Sequence, residues 1–160
     1  TQAYYQDYVQ RFPGILSASW GYTVETATMG VRMVLSGAFD AFPNLKIILG
    51  HMGEGLPFNM WRIDNRNKWV KAPPRYPAKR PITDYFRENF HITISGNFSN
   101  PALIASLLEL GADRIMFSTD WPFENIDHAA EWFDIAPLSH IDRVKIGRTN
   151  AQKLFKLKGA

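Results

Sequence analysis

Cysteine is absent from the 160-residue chain. No disulfide framework and no thiolate metal site can form, so any metal must be held by His, Asp or Glu. No apolar run approaches the roughly 18 residues of a membrane span. No leader of the signal-peptide kind is visible either, so a soluble, cytoplasmic protein with no membrane partner is expected. Internal repeats and low-complexity tracts are missing as well, which sets aside solenoids and biased tails.

A strong charge of one sign is also lacking, for the net charge is only +3. Much of the excess sits in Lys68, Lys71, Arg75, Lys79 and Arg80. Pro73, Pro74, Pro77 and Pro81 interrupt that stretch, so it cannot be a basic helix lying in a groove. No zinc spacing or RNP-like aromatic signature accompanies it. It reads as a solvated connection rather than a nucleic-acid surface.

What is present is apolar: 46% of residues are hydrophobic and 14% aromatic, enough for one core-forming domain. Val24, Ala27, Val31, Val34, Leu35 and Ala38 recur at three- and four-residue steps, which predicts a helix over 23–42. A short apolar strand follows at 46–49. Pro57 suits the first turn of a helix over 57–70. Further strands are predicted at 91–95 and 115–117. Further helices are predicted at 83–88, from an Asn100 N-cap with Pro101 to a stop at Gly111, at 125–133, and at 148–157. Ser139 and Asp142 resemble a capping box. Short continuous apolar strands alternating with helices mean an α/β fold with a parallel sheet covered on both faces.

Ligand chemistry in such sheets collects at the carboxyl ends of the strands. All three predicted strands end there in polar or glycine-rich sequence: GHMGEG, SGNFS and STDWPFE. Asp120 alone could be a turn former or a helix N-cap, but Trp121-Pro122 opposes a helix starting at once. His51 alone could be a structural histidine. Gly50, Gly53 and Gly55 let a ligand approach its backbone, and Glu54 lies close enough to orient its imidazole. Phe123 is a candidate for stacking on an aromatic ligand. His91 begins a strand at the far end and reads as structural, while His128 and His140 read as surface residues. Trp61, Trp69 and Trp132 read as core or interface. Arg62 and Arg66 share a helix face, where they would pair with carboxylates or, as a weaker reading, hold a substrate carboxylate.

At ILGHMGEG, MWRIDNRN, ITISGNF and RIMFSTDWPFEN the sequence resembles the decarboxylase branch of the amidohydrolase superfamily. The resemblance runs from Trp20 to the terminal NAQKLFKL and is strongest to γ-resorcylate (2,6-dihydroxybenzoate) decarboxylases. It implies a (β/α)8 TIM-type barrel, with 46–49, 92–95 and 115–117 as strands six to eight. It implies one divalent metal, zinc or manganese with magnesium a third candidate, and no organic cofactor. Asp120 would be a metal ligand and the proton carrier, His51 and Glu54 the catalytic histidine and its acid, and Phe123 part of the substrate pocket. The family's first metal ligands have no counterpart here, so residues 1–160 are expected to be the C-terminal part of a single barrel domain that needs its N-terminal half or a partner chain.

The implied reaction is non-oxidative decarboxylation of a hydroxybenzoate to the phenol and carbon dioxide. The alternatives are a metal-dependent hydrolase and an inactive fragment needing its complement. A free aspartic acid with a pKa near 3.9 is protonated only about once in a thousand at pH 7, a cost of roughly 4 kcal/mol. Burial of Asp120 against Trp121 and Phe123 is expected to offset part of it. The resemblance also implies a homotetramer. Phe58, Met60, Trp61 and Trp69 on the helix place the segment Arg66 to Arg80 at or beside a subunit contact.

Overall fold

The computed structural model describes residues 6–69 and 76–158. The predicted first helix is two. Helix α1 (Gly21–Leu35) packs through half-buried Val24, Ala27 and Val31 and fully buried Val34. Gly37, with φ 78°, breaks it in the left-handed region, and a short α2 (Ala38–Ala41) follows. Strand β1 (Ile47–Leu49) leads through a 3-10 turn at His51–Gly53 into α3 (Leu56–Asn67). That helix ends three residues before the predicted limit, and Val70 lies outside the described residues. So do Lys71, Pro73, Pro74 and Arg75 of the basic connection. Its described members Lys68, Lys79 and Arg80 are exposed, and Arg80 pairs with Glu88 at 2.8 Å.

Helix α4 (Ile82–Asn89) runs directly into β2 (Phe90–Thr93). Its N-terminus is capped from another helix: Asp64 of α3 accepts from Ile82 N at 2.6 Å, from Thr83 N at 3.1 Å and from the Thr83 hydroxyl. Helix α5 (Asn100–Leu110) is capped by Ser99, whose Oγ accepts from Ala102 N, and not by Asn100. Serine stands one residue earlier in extended backbone, which an N-cap requires, so Asn100 is already helical. Strand β3 (Ile115–Met116) is shorter than predicted. Helix α6 (Ile126–Ile135) starts after an Asn125 cap. Ser139 caps α7 (His140–Val144) as expected, accepting from Asp142 N at 3.1 Å. Helix α7 passes through a π turn at Lys145–Thr149 into α8 (Asn150–Phe155), so the predicted last helix is the end of a longer one.

The sheet is parallel, in the order β1-β2-β3, with Ile47, Ile48 and Leu49 opposite Phe90, His91 and Ile92. Ile92 and Thr93 stand opposite Ile115 and Met116. One face holds the core: Leu49, Phe90, Ile92, Ile94 and Ile115 pack with Val34, Phe39, Leu56, Met60, Phe86 and Leu103 of the helices. Three strands cannot close a barrel, so apolar surface and a sheet edge are expected to stay uncovered, as they do here. On the other face His91 and Met116 are buried, but Ile48 is 41% exposed. The two outer edges differ as well. On β3, Phe117 N donates to Ile146 O and Asn150 Nδ2 donates to Ile115 O. Among the described residues no strand pairs with the outer edge of β1.

His91 is structural, as read from sequence. Arg114 donates toward its Nε2 at 3.3 Å, which leaves the ring proton on Nδ1, buried and without an acceptor. Burial, reinforced by the charges of Arg114, Lys46 and Lys153, pushes its pKa down to about 4. His128 and His140 are exposed. Trp61 and Trp69 are exposed rather than core, and Trp132 is half-buried against Phe98. Among the described residues no helix is long and apolar enough to cross a membrane.

Candidate active site

Three strand ends build the site. After β1 the chain turns the wrong way round: His51, Met52, Gly53, Glu54 and Gly55 have φ of 47°, 58°, 75°, 57° and 70°. Five consecutive residues in the left-handed region make a left-handed turn. L-residues pay roughly 1–2 kcal/mol each for that conformation, and they visit it routinely only as single residues. The glycines therefore do more than admit a ligand: they make the reversed turn possible. It points the His51 ring back across the carboxyl end of the sheet.

Glu54, 5% exposed, accepts from His51 Nδ1 through Oε1 at 2.7 Å. A carboxylate only accepts, so the ring proton sits on Nδ1 and Nε2 faces outward. Nε2 lies 3.5 Å from Asp120 Oδ2. Asp120 is itself left-handed at φ 69°, held by a turn in which Phe123 N donates to its carbonyl at 2.8 Å. Partial burial pushes the His51 pKa down, but the hydrogen bond and charge of Glu54, with the charge of Asp120, push it up by more. The net shift is upward from 6.5.

The middle strand supplies the floor. Gly96, φ 61°, follows β2, and a Cβ there would lie 2.8 Å from His51 Cδ2 and 3.0 Å from Asp120 Oδ2. Ser95 Oγ accepts from His51 N at 3.4 Å and pairs with Thr93 Oγ1 at 2.9 Å. Asn97 Nδ2 donates to His51 O at 3.4 Å.

His51, Glu54 and Asp120 are thus brought together as expected. Phe123 stands three residues beyond Asp120 on the rim, 85% exposed. Asp120 is half-buried, although Trp121, like Phe123, is largely exposed, at 68%. Arg62 and Arg66 form no ion pair among the described residues. They border an open groove of about 510 Å³ between α1 and α3 that touches Glu54 but neither His51 nor Asp120. Thr23, Ser95, Gly96 and Asn97 were not singled out from sequence. The signal for Gly96 was its place at a strand end, and Thr23, 31 residues from Glu54, carried none.

The amidohydrolase family model matches residues 10–157. The chain belongs to the amidohydrolase family. This amidohydrolase is 65% identical over 147 residues to γ-resorcylate decarboxylase of Rhizobium radiobacter, covering 92% of this chain and 45% of that protein. It superposes on 2,6-dihydroxybenzoate decarboxylase complexed with 2,6-dihydroxybenzoate at a TM-score of 0.89 and 62% identity, covering 94% of this chain and 47% of that one. A dihydroxybenzoic acid decarboxylase from Polaromonas, with bound manganese and the inhibitor 2-nitroresorcinol, gives 0.89 and 57%, covering 99% and 47%. The chain spans about half the length of the relatives it matches. Its three-stranded parallel α/β unit is a section of their barrel fold. As a test of metal binding, Asp120 has the chemistry of one ligand. Yet among the described residues of this amidohydrolase no group of three His, Asp or Glu side chains, His51, Glu54 and Asp120 included, is placed to hold a metal ion.

Proposed function

We propose that the complete protein is a metal-dependent carboxy-lyase that converts a 2,6-dihydroxybenzoate-like acid to the phenol and carbon dioxide. The observation that carries this reading is Asp120 facing the Glu54-oriented His51 across 3.5 Å at the strand ends. It occurs in a chain 65% identical to a γ-resorcylate decarboxylase. In this reading the chain is the C-terminal part of one barrel, with β1, β2 and β3 as its sixth to eighth strands. The remaining ligands come from the portion it lacks.

Asp120 would supply one ligand to a divalent ion, manganese or zinc, with magnesium a third candidate. When bound, such an ion supplies Lewis-acid binding of the substrate carboxylate and the neighbouring phenolic oxygen. Asp120 delivers a proton to the ring carbon that bears the carboxylate, and loss of carbon dioxide restores the aromatic ring. His51, fixed by Glu54, hydrogen-bonds the substrate from the β1 side. Phe123 closes over the ring from the rim. Asp120 is only half-buried here, so the partner portion and the substrate must complete the dry surroundings its proton requires. The enzyme works in the cytoplasm as a homotetramer, with Arg66 to Arg80 at or beside a subunit contact, a role for which exposed Trp69 gives the support.

Asp120→Asn in the full-length enzyme is the test. Carbon dioxide release from 2,6-dihydroxybenzoate should disappear while the fold is kept. Turnover above a few per cent of the parent would remove Asp120 as proton carrier.

A further inference from the structure

We infer that Thr23 is a positioning residue of this site: it holds Glu54, and through Glu54 the His51 ring, in the geometry the chemistry uses. The inference rests on the activity proposed above and deepens it. Thr23 Oγ1 donates to Glu54 Oε2 at 2.8 Å, while Oε1 takes the His51 Nδ1 proton at 2.7 Å. Each oxygen of a nearly fully buried carboxylate therefore has one donor, and the two donors fix its plane. With Thr23 gone, Oε2 is left buried and unpaired, and the carboxylate is free to rotate toward other donors. The imidazole would then lose its orientation toward Asp120, because side chains that orient a site residue act through such outer hydrogen bonds.

The backbone arranges this contact on purpose of fit. Thr23 stands in the first turn of α1, and two glycines set how close that helix comes. A Cβ on Gly21 would lie 2.6 Å from the Leu16 backbone, so the helix start is pressed onto the turn at Pro13–Leu16. A Cβ on Gly30 would lie 3.3 Å from Leu56 Cδ1, so the same helix also sits tightly on the segment that follows Glu54. A hydroxyl on one short side chain can bridge to Glu54 because α1 is held this near at its first turn and at Gly30. Among the described residues, the bond from Thr23 to Glu54 is the one side-chain hydrogen bond that joins α1 to His51, Glu54 or Asp120.

The experiment uses the full-length enzyme and three variants. Thr23→Val keeps the shape and removes the donor. Thr23→Ser keeps the donor and removes a methyl group. Thr23→Ala removes both. For Thr23→Val the turnover number should fall roughly tenfold or more, the range found for residues that orient a functional side chain. KM should stay within about twofold, since Thr23 acts through Glu54 and not on the substrate. Thr23→Ser should recover most of the loss. A second readout is independent of turnover: in histidine-labelled, metal-free protein the His51 Nδ1 proton should give a downfield resonance in the parent and in Thr23→Ser. In Thr23→Val and Thr23→Ala it should be shifted or broadened. A resonance unchanged in Thr23→Val, or turnover within twofold of an active parent, overturns the inference. If Thr23→Val does not fold, the Thr23→Ala and Thr23→Ser pair decides by the same two criteria. If the parent releases no carbon dioxide from 2,6-dihydroxybenzoate, the proposed activity falls, and the His51 resonance alone decides the role of Thr23.

Discussion

Replacing Gly96 with alanine should separate the strain of the site from its chemistry. Two costs are added at once. The backbone at φ 61° is left-handed, which costs an L-residue about 1–2 kcal/mol. The new methyl would stand 2.8 Å from His51 Cδ2 and 3.0 Å from Asp120 Oδ2. Ordinary carbon contacts lie at about 3.5–4.0 Å, so the two side chains must retreat by roughly 0.5–1 Å. A displacement of about 1 Å between reacting groups can cost on the order of a hundredfold in rate. Gly111→Ala is a control away from the site: at φ 79° and ψ 157° a side chain is strained there too, yet nothing lies within 4 Å of a Cβ. Both variants of the full-length enzyme should lose a few degrees in Tm, at roughly 2–4 °C per kcal/mol. Only Gly96→Ala should also lose turnover, by ~10- to 100-fold for 2,6-dihydroxybenzoate. Thermal melts and carbon dioxide release measure the two quantities separately. If Gly96→Ala kept turnover within twofold while melting like Gly111→Ala, the idea that this glycine sets the gap between His51 and Asp120 would be refuted.

Acid should unfold the protein partly through His91. Its folded pKa of about 4 lies below the unfolded value near 6.5, so the unfolded chain takes up the proton first. The neutral ring's contribution is complete above pH 6.5 and is lost as pH falls toward 4, by at most roughly 3 kcal/mol. Urea titrations from pH 7 to pH 4 should show a shallower slope in His91→Leu, and an identical slope would exclude His91 as the sensor. Asp64→Ala should lower stability by about 2–3 kcal/mol, because it uncaps α4 and strands two backbone donors. A urea midpoint shift worth less than about 0.5 kcal/mol would contradict that reading. Trp69→Ala should weaken the oligomer in sedimentation at micromolar concentration, and an unchanged assembly with unchanged stability would remove Trp69 from the interface.

Local chemistry made much of this molecule legible in the sequence. Three apolar runs became three parallel strands, and Pro57, Gly111 and the Ser139–Asp142 pair marked helix ends where the structure has them. His51 and Glu54 are three residues apart, so their contact could be read from spacing. What escaped was long-range. Asp64 caps a helix that starts 18 residues later, and Thr23 reaches a carboxylate 31 residues away. No local pattern encodes either contact, since each depends on how two helices settle on the sheet. The Ser99 cap escapes for a smaller reason, since a serine next to an asparagine offers two caps of equal chemistry. Gly30 and Gly37 both weaken the helical pattern over 23–42, and periodicity alone does not tell which of them breaks it. Exposure was not legible either: Trp61 reads as core or interface in sequence and is 74% exposed here.

The reversed turn at 51–55 sets limits on redesign. Three of its five positions already hold L-residues in a mirror-image conformation, so the loop has little tolerance left for more. Libraries that randomise Gly53 or Gly55 to alter substrate range would return mostly destabilised clones, because each added side chain repeats the same steric conflict. A Cβ on Gly53 would in addition press on Ile92 at 2.9 Å. Variation is better spent where the backbone is ordinary and the side chains already face outward. Phe123 and Ile126 on the rim meet both conditions. The enzyme's specificity is therefore expected to evolve along the β3 loop while the β1 loop stays fixed in sequence.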